Sequence, residues 1–114
     1  MNVKRVYDEA SDGDGQRVLV DRLWPRGLTK EKARVDVWLK EVAPSTELRR
    51  WYHAGGEWDE FSARYLAELE ANTGAVARLR EIAEQGPVTL LYGIKDEERN
   101  HALLLRAFLG GSDA

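Results

Sequence analysis

Apolar residues recur along this chain at two spacings, and the changes between them mark out its elements. Residues 3–7 read as a short edge strand. The run Arg17-Val18-Leu19-Val20-Asp21-Arg22-Leu23-Trp24 has an apolar Val-Leu-Val centre, as a strand covered on both faces would. Asp-Gly pairs make residues 8–16 turn-rich. Pro25 and Gly27 stop the second strand. Thr29 is placed to cap a short helix through Lys30, Glu31, Lys32 and Ala33, and residues 35–39 alternate like a further strand. Ser45 is placed to cap a helix running to about His53, which Ala54-Gly55-Gly56 breaks.

From Trp58 to Ala71, apolar residues Trp58, Phe61, Tyr65, Leu66 and Leu69 recur at steps of three and four, one stripe of a helix. Thr73-Gly74 reads as a break, and a helix follows from about Ala75 to Glu84. Val88-Thr89-Leu90-Leu91-Tyr92 is a second strand of buried type. Asp96 is expected to cap the last helix, with Glu97 and Glu98 at the positive end of its dipole; Gly110-Gly111 should end it and residues 112–114 should fray. Strands separated by helices predict a single α/β domain over residues 1–114, a mostly parallel sheet flanked by helices, with an ordered core at about 3–109 and a tail at 110–114. The first two strands lie too close for a helical crossover, so one antiparallel pairing is expected.

At 114 residues and 43% hydrophobic, the chain can bury one core, roughly 65% of its unfolded surface. The absence of cysteine excludes a disulfide framework, a Cys-ligated zinc site and a thiol nucleophile. No apolar run reaches the ~18 residues of a membrane span, and Met1-Asn2-Val3-Lys4-Arg5 does not open a signal peptide, so a cytoplasmic protein is expected. Net charge is −3, which disfavours a dedicated duplex-DNA binder. The charge is uneven, however. Residues 22–34 carry Arg22, Arg26, Lys30, Lys32 and Arg34 against Glu31, whereas residues 57–70 carry five acids against Arg64. A basic face on an acidic protein suits a small anion, or is ordinary solvated surface.

In open α/β sheets, ligands sit beyond the carboxyl ends of the strands. Two such ends are rich in chemistry here: Asp21-Arg22-Leu23-Trp24-Pro25-Arg26-Gly27, and Tyr92-Gly93-Ile94-Lys95-Asp96 with Asn100 and His101 beyond. If those strands are neighbours, Arg22, Arg26, Tyr92, Lys95 and His101 converge on one crevice. Arginine offers paired planar donors to phosphate or carboxylate, and a lysine adds a point charge. The alternative is structural: Asp21 pairs with Arg22 or Arg26, and Asp96 only caps its helix. His101 fits a general acid/base oriented by Asp96 or Asn100, or a histidine bonded to a backbone carbonyl at the sheet edge. Trp24 fits either a stacking wall or core, and Tyr92 either a proton donor or packing. His53 at a helix end suits the dipole, and two isolated histidines are a weak metal signal, so no metal or cofactor is expected.

The blocks Val20-Asp21-Arg22-Leu23-Trp24-Pro25-Arg26-Gly27, Trp38-Leu39-Lys40-Glu41-Val42-Ala43-Pro44-Ser45 and Leu48-Arg49-Arg50-Trp51-Tyr52, with Leu90-Leu91-Tyr92, Lys95-Asp96 and Asn100-His101-Ala102, resemble the YeaO-like family within the domain of unknown function 488. The resemblance runs from about Val3 to Leu109. It implies a small bacterial α/β protein of a family without an established activity. It draws attention to Arg22, Trp24, Arg26, Lys40, Ser45, Arg49, Trp51, Tyr92, Lys95, Asp96, Asn100 and His101. Some relatives carry a regulator label, yet no helix-turn-helix with a basic recognition helix is legible. Ile94 stands where the family commonly has a small residue, and would crowd the crevice floor.

The expected ligand set is therefore Arg22, Trp24, Arg26, Tyr92, Lys95, Asp96, Asn100 and His101. It points to a small-ligand-binding domain that takes a small anionic ligand or nucleotide. The alternatives are an enzyme at the same crevice using His101 as acid/base, and a nucleic-acid-associated module using the basic run. No membrane partner is expected, and the sequence fixes no oligomeric state.

Overall fold

The computed structural model describes residues 1–110 as a four-stranded, all-parallel sheet with helices on its faces. The strands are β1 (Asn2–Arg5), β2 (Gln16–Leu19), β3 (Val37–Trp38) and β4 (Val88–Tyr92), in the spatial order β1-β4-β2-β3. The helices are α1 (Lys30–Ala33), α2 (Thr46–His53), α3 (Trp58–Ala71), α4 (Thr73–Glu84) and α5 (His101–Phe108). Residues 111–114 lie outside the described residues, and with them the expected fraying of 112–114.

Strand alternation divides the core between the two faces. Val18, Val20, Leu90 and Tyr92 point into the larger cluster, with Leu48 of α2, Phe61, Tyr65 and Leu69 of α3, Leu79 of α4 and Leu105 of α5. Leu19 and Leu91 point the other way and meet Val6 and Ala33, with Trp24 and Leu28 at the margin. This explains why Val18-Leu19-Val20 and Leu90-Leu91 are apolar without a gap: in a covered parallel sheet both parities are buried. Each fully buried aliphatic side chain contributes about 1.5–3 kcal/mol.

The antiparallel expectation is corrected. β1 and β2 do not pair, because β4 lies between them and runs parallel to both. Residues 6–15 therefore cross two strand spacings, about 4.8 Å each, and return along a four-residue strand. Extended chain covers ~3.3 Å per residue, so the connection needs no helix. Asp14 holds it in place. Its carboxylate accepts from Lys4 Nζ at 3.0 Å, Arg17 Nη1 at 2.6 Å and the Ser11 backbone at 3.0 Å, and its carbonyl accepts from the Thr89 hydroxyl of β4 at 2.8 Å. Arg17 in turn donates to the Ala33 and Arg34 carbonyls at the end of α1.

Thr29 and Ser45 cap α1 and α2 as expected, accepting from the Lys32 and Leu48 N–H groups. Two other boundaries move. Thr73-Gly74 form the first turn of α4, and the break falls at Asn72. Asp96 does not cap α5. It accepts from the Glu98 and Arg99 N–H groups in an exposed turn, while Asn100, four residues on, accepts from Leu103 N–H at 3.0 Å and starts the helix. Gly110, at φ 77, follows the helix end.

Candidate functional site

β2 and β4 are neighbours in register, Leu19 opposite Leu91, so the segments leaving their carboxyl ends emerge side by side. Asp21 ties them together. Its Oδ2 accepts from the Gly93 N–H at 2.8 Å. A Cβ at position 93 would lie 2.9 Å from that oxygen, which is why the close approach takes glycine. His101, at the first turn of α5, reaches back over the same place. Its Nε2 lies 3.0 Å from the Val20 carbonyl and 3.1 Å from Asp21 Oδ1. Both neighbours are acceptors, so Nε2 carries the hydrogen and donates it to Val20. Asp21 Oδ1 is left buried without a hydrogen bond of its own.

Between these loops and helices α2 and α3 lies a crevice of about 250 Å³. Four arginines line it: Arg22 and Arg26 from the loop after β2, Arg49 from α2 and Arg99 from the turn before α5. Among the described residues, Asp21 is the single carboxylate on its walls. Among the described residues, none of the four arginines lies within 4.0 Å of a carboxylate. Arg22 is oriented by the Ala43 and Pro44 carbonyls, at 3.1 and 3.2 Å. The Nε of Arg49 is buried with no hydrogen-bond partner among the described residues. Four arginines without a carboxylate partner among the described residues, lining one small hollow, set a positive potential there.

The rest of the lining is largely aromatic. Trp24 and Tyr7 form one wall. Trp24 donates its indole N–H to the Leu28 carbonyl at 2.7 Å and packs edge-on against Trp38, with centroids 5.4 Å apart. The Tyr7 hydroxyl donates to the Arg26 carbonyl at 2.9 Å and fixes that loop. Tyr52, Trp58 and Phe61 form the other wall as one cluster, with centroids 4.6–5.9 Å apart. Behind them is Tyr65, whose hydroxyl donates to the Val42 carbonyl; burial pushes its ionisation far up.

Of the residues singled out in the sequence, Arg22, Trp24, Arg26, Asn100 and His101 line the crevice, and Tyr92, Lys95 and Asp96 do not. Tyr92 shares the parity of Val88 and Leu90 and so enters the core, where burial, then Glu97, raises its pKa. Lys95 and Asp96 sit on the exposed turn. The Asp96 carboxyl is held below its usual range by the Arg99 and Glu98 N–H groups. Both ends of the Asn100 amide are engaged, with Leu103 N–H and the Asp96 carbonyl. Ile94 is on the wall, half-buried, and the hollow remains beside it. Trp38 is exposed, and Lys40 sits over its ring. The basic run divides, since Lys30, Lys32 and Arg34 belong to the four-residue α1 and its end, off the crevice.

Arg99, Tyr52, Trp58 and Phe61 were not legible as site residues, and Arg49 was flagged only by the family resemblance. The available signal was spacing: Arg49 and Tyr52 lie three apart on α2 and share a face. Among the described residues no cluster of three or more His, Asp or Glu is arranged to hold a metal, and no helix is long and apolar enough to cross a membrane.

Comparison with known proteins places these features in a family. The profile of the inactive DUF488-N3 subclade matches residues 1–112. The chain is 48% identical over 112 residues to the uncharacterised protein YeaO of Escherichia coli, covering 96% of this chain and 97% of that one. It is 46% identical over 112 residues to the uncharacterised protein Rv3073c of Mycobacterium tuberculosis, covering 97% and 94%. No solved structure matches it significantly.

Proposed function

The chain belongs to the DUF488-N3 family, in the subclade described as inactive, and we propose that the crevice binds a small anionic ligand through a phosphate or carboxylate group. One observation carries this reading: Arg22, Arg26, Arg49 and Arg99 face one hollow and none is paired with a carboxylate among the described residues. Guanidinium groups left without acidic partners in a partly desolvated hollow gain most from an incoming anion, which each can hold through two parallel N–H donors.

Binding is favoured over catalysis at the same place. The only histidine nitrogen reaching Asp21 is committed to the Val20 carbonyl, so His101 serves to lock α5 to the strand end rather than to shuttle protons. The description of the subclade as inactive agrees with that use.

The test is a thermal-shift titration with inorganic phosphate and simple carboxylates, repeated on Arg49→Gln and Arg26→Glu. A specific ligand at a hundred-fold excess over Kd stabilises the fold by about 2.7 kcal/mol, several degrees in Tm. The shift should shrink in Arg49→Gln and vanish in Arg26→Glu. Equal shifts in all three proteins would place the anion elsewhere.

A further inference from the structure

The lining of the crevice says more about the ligand than its charge. An inorganic anion needs donors and little else, yet this hollow is also lined by Tyr7, Trp24, Tyr52, Trp58 and Phe61. Aromatic faces turned toward a hollow recognise a flat apolar body through stacking and edge contacts. The volume, about 250 Å³, lies just below the ~300–1,000 Å³ of pockets for drug-sized ligands. At ~30 Å³ per water it holds about eight waters' worth of matter, enough for one ring and a short arm.

A neighbouring hollow limits the charge. It shares Tyr52, Trp58 and Arg99 with the crevice and then runs over Gly55 and Gly56 to Glu57 and Asp59. Those two carboxylates stand where an extended ligand would continue. A second anionic group there meets like charge, which disfavours polyphosphates and so a nucleoside di- or triphosphate.

We propose that the ligand is a small aromatic anion, a single ring joined by a short arm to one carboxylate or monophosphate group. The ring lies between Trp24 and the Tyr52–Trp58 wall, and the anionic head meets the arginines. This rests on the anion-site reading above and narrows it to a ligand class.

Trp24 and Trp58 report occupancy directly, so the experiment is a tryptophan-fluorescence titration of the full chain with a set of probes. 3-Phenylpropionate and phenyl phosphate carry both ring and charge. Propionate and inorganic phosphate carry charge alone, benzyl alcohol carries the ring alone, and ATP carries several charges. Both ring-bearing anions, or one of them, should bind at least tenfold more tightly than propionate, inorganic phosphate, benzyl alcohol and ATP; which of the two is tighter identifies the head group. Trp24→Leu should erase that margin, read by thermal shift. If propionate and inorganic phosphate bind as tightly as the ring-bearing anions, the aromatic class is wrong and the anion site stands. If benzyl alcohol binds as tightly, or if no anion binds, the anion site itself is wrong. If ATP binds most tightly, the limit drawn from Glu57 and Asp59 is wrong. Should Trp24→Leu fail to fold, the probe series on the unaltered chain decides alone.

Discussion

Asp14 is the residue on which the first part of the chain depends. It is 6% exposed, and burial opposes its ionisation. The Ser11 backbone N–H, Lys4, the Ser11 hydroxyl and Arg17 outweigh that and hold its carboxyl far below the usual range. A depressed carboxylate contributes stability that is present above its ordinary value of 3.8 and is lost as pH falls below it. Acid unfolding should therefore steepen below about pH 4, and Asp14→Asn should flatten that limb in a pH series of denaturant melts. Arg17→Met leaves the carboxylate buried beside one remaining cation and should cost about 3–5 kcal/mol in the same melts at pH 7. Gly93→Ala is the second sensitive site. The added Cβ meets Asp21 Oδ2, so the two loops must separate, and anion binding should weaken along with stability.

At the scale of elements, the start of α5 separates two capping signals. Asn100→Ala removes the acceptor for Leu103 N–H and the donor to the Asp96 carbonyl, and should cost about 0.5–2 kcal/mol. Asp96→Ala touches only an exposed turn and should cost less, by comparison of urea midpoints. The sequence offered Asp96 as the cap, and local chemistry alone did not point to Asn100. Asn100 wins because α5 must begin where His101 can reach Val20, a contact 81 positions away in the chain. The same limit explains Tyr92. Its place at a strand end suggested the crevice, but strand parity set by the Leu90 and Val88 packing turned it into the core. By contrast α2 and α3 were readable to within a residue, because a periodic stripe and a capping residue are properties of the segment itself.

At the scale of the molecule, the order β1-β4-β2-β3 is what makes the site. Placing the last strand between the first two sets residues 21–27 beside residues 93–101, and α2 and α3 close the hollow with Arg49, Tyr52 and Trp58. Arg22 and Arg26 were legible because the strand-end rule applies within a single segment. Arg49 and the aromatic wall were not, because they depend on how α2 and α3 pack over the sheet. A ligand bound there touches both loops and two helices, so it should protect the amides of residues 93–101 from hydrogen exchange together with those of α2.

The Nε–Hε group of Arg49 is the most direct reporter of the whole account, since Arg49 lines the crevice and that group has no partner among the described residues. A nitrogen-detected NMR titration of arginine side chains with 3-phenylpropionate or phosphate should move that resonance saturably, with those of Arg22, Arg26 and Arg99, while the remote Arg64 and Arg80 stay fixed. A still Arg49 signal, or one that drifts without saturation in step with Arg64 and Arg80, would contradict the claim that these guanidinium groups form an anion site.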